Sequence, residues 1–175
     1  MCGIIGFFGK GSEVPAEDRL KAAADAMRHR GPDEEGVYYH PPIGLGFRRL
    51  SIIDLSGGSQ PIPNEEKTVW VVFNGEIYNF RKLREQLTDR GHRFRTRSDS
   101  EVIAHLYEDQ GEELFEHLDG MFAIAIWDVR EKRLVLGRDR LGKKPLVYAE
   151  TPAGFYFASE IGALLKLGVI SREVD

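Results

Sequence analysis

Cysteine is nearly absent from this 175-residue chain, with Cys2 the only example. One thiol forms no internal disulfide, and without a CxxC or HExxH spacing the sequence carries neither a disulfide framework nor a zinc motif. Charge of one sign is not in excess. Its 24 Lys and Arg stand against 28 Asp and Glu, a net charge of -4, so the basic field that nucleic acid requires is missing. Long apolar runs are missing too. The opening segment 2–8 falls well short of the ~18 residues of a membrane span and has no basic leader. Position 2 is not the glycine of myristoylation, no prenylation box closes the chain, and there are no repeats. What remains is the expectation of a cytoplasmic globular protein.

The chain is 42% hydrophobic and long enough for one well-buried domain, placed at 1–165. Segment 166–175 mixes apolar and charged residues and reads as a linker stump. Helical spacing connects Leu20, Ala23, Ala24 and Met27, and again Phe80, Leu83 and Leu87 before Gly91. Ser98 with Glu101 has the form of a capping box opening a third helix, and a short helix is expected after Ser159. Strand signals cover 2–8, 43–47, 50–53, 69–73, 121–127, 134–136 and 155–157. Asn74-Gly75 reads as a tight hairpin turn, and Asp128 to Lys132 as another. Short joints mean antiparallel pairing, and unalternating runs such as 121–127 mean strands covered on both faces. The fold class expected is therefore α+β, a four-layer αββα sandwich of two stacked antiparallel sheets flanked by helices.

Two segments imitate phosphate loops and fail on chemistry. Gly137 to Lys143 has the spacing of a P-loop, yet Lys144 stands where Ser or Thr is needed, and Pro145 blocks the helix that should donate amides. Ser56-Gly57-Gly58-Ser59 continues into Gln60-Pro61 and reads as a tight connection. His29, His40, His92, His105 and His117 show no ligand spacing, so the sequence assigns no metal.

Cys2 is better placed than any of these. Removal of Met1 would put a thiol with an ordinary pKa near ~8.5 and an α-amine near ~7.7–8.0 on one residue. Nucleophile and base then come together without a triad.

With Cys2, four further segments appear in order: Arg28-His29-Arg30-Gly31-Pro32-Asp33, Arg49-Leu50-Ser51-Ile52-Ile53-Asp54, Asn74-Gly75-Glu76-Ile77-Tyr78-Asn79 and Ser98-Asp99-Ser100-Glu101. Together they resemble the class II glutamine amidotransferases, which are N-terminal-nucleophile hydrolases, and among them the glutaminase domain of glutamine-hydrolysing asparagine synthetases. The resemblance implies that Cys2 attacks glutamine's carboxamide and that Asn74 and Gly75 form the oxyanion hole. It further implies that Arg49 clamps the substrate carboxylate, with Leu50, Ser51, Ile52 and Ile53 lining the pocket, while Glu76 and Asp99 receive the α-amine. Arg48 is an adjacent alternative to Arg49, and Arg30 borders the nucleophile. No cofactor is implied for this half-reaction. ATP and Mg are expected only in a separate synthetase domain that would receive the ammonia, and a homodimer is left open. The rival expectation is a non-catalytic domain that binds a partner or senses an amino acid.

Overall fold

A computed structural model describes residues 1–11, 14–51 and 57–173. The chain divides into two compact units, Met1–Leu50 with Pro145–Asp175, and Ser51–Lys144. Elements are numbered in chain order.

The first unit contains β1 (Gly3–Gly9), β2 (Glu34–His40), β3 (Ile43–Arg49), β8 (Val147–Thr151) and β9 (Gly154–Ala158), with helices α1 (Glu17–Asp25) and α5 (Ile161–Leu167). Its strands form one antiparallel sheet in the order β2-β3-β1-β9-β8. Glu17 and Asp18 complement the positive end of α1. The apolar stripe of α1 meets Ile5 and Phe7 of β1 in a core shared with Ala163, Leu164 and Leu167 of α5. Close approach depends on β3. A Cβ on Gly44 would lie 2.4 Å from the Phe7 ring and 2.9 Å from Leu20, and one on Gly46 would lie 2.9 Å from Ile5. Burying each large side chain here contributes about 1.5–3 kcal/mol.

The boundary expected after residue 165 falls inside α5. Leu167 is fully buried, Val169 and Ile170 pack on the same core, and Gly168 ends the helix with φ 79°. Lys166 breaks the apolar run in sequence only. On the helix, Ala163, Leu164 and Leu167 share a face.

The second unit contains β4 (Ile62–Pro63), β5 (Val69–Ile77), β6 (Gly120–Asp128) and β7 (Arg133–Arg138) in that spatial order, again antiparallel. Helices α2 (Phe80–Asp89), α3 (Glu101–Gln110) and α4 (Leu114–His117) accompany it. Val71, Phe73 and Ile77 of β5 pack with Leu83, Leu87, Val102, Ile103 and Leu106. Each unit thus consists of an antiparallel sheet and its own helices, in agreement with the α+β expectation.

Two local expectations are corrected. Asn74-Gly75 is not a hairpin turn, because β5 runs straight through it, pairing Asn74 with Ala123 and Gly75 with Phe122. Gly75 is required there for closeness. A Cβ would come within 2.2 Å of the Met121 carbonyl oxygen and 2.8 Å of the Phe122 Cα. The strand expected over 50–53 is not formed at Leu50 and Ser51, which are irregular, while Ile52 and Ile53 lie outside the described residues. The hairpin from Asp128 to Arg133 forms as expected.

Gly75→Ala should therefore force β5 and β6 apart, at a cost of about 2 kcal/mol. Urea denaturation would show it as a lowered midpoint. An unchanged midpoint would mean that the strands are not in close contact at this position.

Candidate functional site

Alternation along the first unit's strands decides which side chains accompany Cys2. Ile5 and Phe7 face the helices, and Gly3 pairs with Arg48. Arg48 therefore points to the helix side, where its Nε donates to the Gly31 carbonyl at 3.1 Å and its Nη1 lies 3.6 Å from Asp25 of α1. Arg49, one residue on, takes the opposite face, and so does Cys2. Arg49 is buried and its Nη1 pairs with Glu34 at 2.9 Å. The Leu50 N–H donates to Cys2 Sγ at 3.4 Å, and the thiol lies 3.7 Å from the Leu50 carbonyl. Cys2, Arg49 and Leu50 are thus neighbours.

The thiol-bearing residue is held on both sides. Arg30 Nε donates to the Cys2 carbonyl at 2.9 Å, and Arg30 Nη1 pairs with Glu160 at 2.9 Å. Partial burial would raise the Glu160 carboxyl, but Arg30 and His29 hold it below its ordinary range. Ser159 clasps Ile4 twice, accepting its N–H at 3.0 Å and donating to its carbonyl at 2.8 Å. The Arg28 to Asp33 segment lies close along β3. A Cβ on Gly31 would meet the Arg48 carbonyl at 2.4 Å, and the Asp33 N–H donates to the Arg49 carbonyl at 3.0 Å. Ser159 and Glu160 carried no signal beyond a helix start, because their partners lie at the other end of the chain. Met1 is 56% exposed, and its ammonium donates to the Arg30 carbonyl at 3.1 Å.

Among the described residues, the second unit presents an open strand edge. β4 covers only Trp70 and Val71 of β5. Beyond them, side chains replace the missing strand: Gln60 Oε1 accepts the Phe73 N–H at 2.6 Å, and Asp99 Oδ2 accepts the Ile77 N–H at 3.0 Å. Amides two residues apart point the same way, so the Gly75 N–H faces this edge between two that are already taken. The side chain of Asn74 projects to the sheet face opposite Phe73 and Ile77. Asn74 is 1% exposed, and its Nδ2 has no hydrogen-bond partner among the described residues. A buried amide donor left unpaired costs about 1–3 kcal/mol and calls for an explanation. Glu76, on the same face, is exposed.

Asp99 is buried. Burial raises its pKa and Glu76 adds to the shift, so it stands above the ordinary carboxylate value despite the Ile77 N–H and Ser98 hydroxyl. The capping box expected from Ser98 and Glu101 is not formed. α3 starts at Glu101, Ser98 Oγ bonds Ser100 Oγ at 2.8 Å, and Glu101 reaches instead to the N–H groups of Arg95 and Thr96, each at 2.8 Å. The irregular segment before the helix has backbone donors to satisfy, and Glu101 supplies the acceptors. Burial alone would raise Glu101, but the His105 imidazole and these donors pull it down to about 2.

The rejected phosphate loop also has a physical explanation. Asp139 accepts the N–H groups of Leu141, Lys143 and Lys144 at 3.2, 2.9 and 3.0 Å, so the chain's own carboxylate occupies the turn.

Two antiparallel sheets with their helices define an α+β fold. The fold is shared with the glutamine phosphoribosylpyrophosphate amidotransferase of B. subtilis, solved with ADP and GMP, at a TM-score of 0.78 and 21% identity over 95% of this chain and 44% of that one. The profile of the glutamine amidotransferase domain matches residues 1–175, and the chain belongs to that family. It is 43% identical to asparagine synthetase [glutamine-hydrolyzing] 1 of Bacillus subtilis, over 94% of this chain and 27% of the relative. With asparagine synthetase [glutamine-hydrolyzing] 2 of Arabidopsis thaliana the identity is 46%, over 94% of this chain and 28% of the relative. The chain thus spans little more than a quarter of their length. Among the described residues, no helix is long and apolar enough to cross a membrane.

Glu101→Gln would set an NH2 group against one of the two backbone donors and should cost about 2 kcal/mol. Because the folded pKa of about 2 lies below the ordinary 4.5, the ionised group stabilises fully above ~4.5 and loses its contribution as pH falls through ~2. Urea titrations from pH 7 to pH 2 should show the gap between wild type and variant closing. A pH-independent gap would mean that the charge contributes nothing.

Proposed function

We propose that this domain hydrolyses the side-chain amide of L-glutamine through a Cys2 thioester, with Asn74 and Gly75 as oxyanion donors. The observation that carries the proposal is the Nδ2 of buried Asn74, without a hydrogen-bond partner among the described residues, beside the Gly75 N–H on a strand edge that β4 leaves uncovered. Preorganised donors of this kind, poised for a charge that exists only during reaction, are worth about 3–4 kcal/mol of barrier each. Pure scaffolding has no use for them, which disfavours a non-catalytic binding or sensing domain.

The residue chemistry balances without a cofactor. Once Met1 is removed, the α-amine of Cys2, directly or through water, takes the thiol proton, and sulfur bonds to the amide carbon. Negative charge moves to the carbonyl oxygen and is held by the Asn74 side chain and the Gly75 N–H. As the oxyanion collapses, the C–N bond breaks and the amine's proton goes to the departing nitrogen, releasing ammonia. Water then cleaves the γ-glutamyl thioester to give glutamate and the thiol. Arg49 binds the substrate carboxylate through its guanidinium, and Leu50 and Ser51 line the pocket, with Ile52 and Ile53, outside the described residues, assigned to it by the family pattern alone. Asp99, with Glu76, accepts the α-ammonium, which lets the enzyme reject amides within peptides. Arg30 positions Cys2 through its carbonyl.

The relatives' names and their greater length support a larger protein in which the ammonia feeds ATP- and Mg-dependent amidation of aspartate to asparagine in a synthetase domain. A sibling synthetase acting on another carboxylate is the second reading. A reactive thiol suits the reducing cytoplasm, where we place the protein. Oligomerisation as a homodimer is compatible with the chemistry.

Intact mass should show loss of Met1, and Cys2→Ala should abolish glutamate release from glutamine. Equal rates in wild type and variant would exclude Cys2 as nucleophile. Asp99→Asn keeps an oxygen for the Ile77 N–H but loses the charge, so KM for glutamine should rise about 10- to 100-fold with a smaller change in kcat. Because Asp99 has a folded pKa above its unfolded value, its ionisation opposes folding as pH rises through that range. The Asn variant should thus be at least as stable as wild type at neutral pH. In wild type, kcat/KM should fall on the acid side at a pH above the ordinary aspartate value. A variant with unchanged KM would remove Asp99 from the binding set.

A further inference from the structure

Four side chains that the proposed chemistry does not use come together in the second unit. Glu65 lies between β4 and β5, His92 follows α2, and His105 and Glu108 share a face of α3. One ligand atom from each lies within 4.8 Å of the others. His105 Nδ1 is 3.1 Å from Glu65 Oε2 and 3.6 Å from Glu108 Oε2, while His92 Nδ1 is 3.7 Å from Glu65 Oε1 and 3.7 Å from Glu108 Oε2. Tetrahedral zinc with bonds of about 2.0–2.2 Å separates its ligand atoms by about 3.3–3.6 Å, near the 3.6 and 3.7 Å that separate the two Nδ1 atoms from Glu108 Oε2. Glu65 offers Oε2 to His105 and Oε1 to His92, and the widest pair, within 4.8 Å, closes as the ion binds.

The surroundings suit an ion. His105 is fully buried, yet among the described residues neither ring nitrogen makes a hydrogen bond. The positive field that lowers Glu101 is supplied by a proton or an ion alike, and among the described residues no ring N–H is aligned with a carboxylate oxygen. A ring nitrogen and a carboxylate directed at a shared third atom need no such alignment. His92 Nε2 contacts Asp109 Oδ1 at 3.0 Å, and Asp109 is in turn held by Arg90. That arrangement makes Nε2 the donor and leaves the Nδ1 lone pair facing the cluster, as in carboxylate–histidine–metal relays. Glu65 is oriented by the Arg93 N–H at 2.6 Å. Behind His105, Glu101 adds further negative charge 3.7 Å from Nε2.

We propose that Glu65, His92, His105 and Glu108 form a structural site for a divalent transition ion of the zinc type. Four protein ligands close the coordination shell, as in structural zinc centres. The ion joins the β4–β5 turn and the α2–α3 connection to α3, bracing the segment that leads into Asp99. The ion takes no part in the chemistry of glutamine hydrolysis.

The test is titration of the purified, chelator-treated protein with Zn²⁺ and Co²⁺. Wild type should bind one equivalent, gain about 5 °C or more in Tm at saturating Zn²⁺, and show the visible d–d bands of four-coordinate Co²⁺ without a thiolate charge-transfer band. Glu108→Gln, at a partly exposed position where folding should survive, should weaken binding at least about tenfold. Cys2→Ser should bind as wild type. Two results would overturn the proposal: wild-type binding no tighter than in a His92→Gln, Glu108→Gln double variant, or a thiolate band with binding lost in Cys2→Ser, which would move the ion to Cys2.

Discussion

The shortness of β4 is the constraint on which the second unit depends. A longer β4 would pair the whole edge of β5 and leave no backbone donor for other purposes. Because it pairs with Trp70 and Val71 alone, the following amides must find side chains or remain on an open edge. Gln60 and Asp99 take the N–H groups of Phe73 and Ile77, and Gly75 stands between them. This also positions Asp99: the hydrogen bond that satisfies the strand fixes a buried carboxylate beside the proposed oxyanion donors. Edge management and site construction are thus achieved by the same contacts.

The first unit solves a different problem, that of making a chain terminus rigid. Terminal residues fray unless they are tied down. Here β1 sits between β3 and β9, and the residue preceding it is pinned through its carbonyl by Arg30. Arg30 is fixed in turn by Glu160 at the entry of α5, beside the Ser159 that clasps Ile4. Arg48 and Arg49 divide their work through strand alternation. Arg48 fastens the 28–33 loop and α1 to the sheet, while Arg49 lies on the face of Cys2. Adjacent arginines that are equivalent by composition are separated by the pleat.

Elements with strong periodicity were legible in the sequence, among them the apolar strands β1, β3, β5, β6 and β9 and the helix carrying Leu83 and Leu87. β2, reading Glu-Glu-Gly-Val-Tyr-Tyr-His, lacks an apolar alternation and becomes a strand through its full pairing with β3. Asn-Gly misled because dipeptide preference describes an isolated turn, whereas Gly75 answers to a partner strand far along the chain. Ser98 and Glu101 misled for a similar reason. Their spacing fits a cap, but the nearby amides of Arg95 and Thr96 compete for the carboxylate and win. The candidate site was legible as separate segments, and only the fold shows that Gln60, Ser159 and Glu160 hold those segments in place.

The histidines illustrate the limit of spacing arguments most clearly. His105 and Glu108 are one helical turn apart, a pattern common on any polar helix face, and His92 and Glu65 lie in irregular connections. Nothing in the chain order unites them. In the fold, α3 carries Asp99 just ahead of its first turn and His105 and Glu108 further along. A helix anchored in this way at both its preceding segment and its polar face has little freedom to rotate. Since Asp99 Oδ2 must meet the Ile77 N–H within hydrogen-bond distance, rotation of α3 would disturb the open edge directly. The polar cluster and the strand edge are therefore linked mechanically, because one short helix bears the groups that both require.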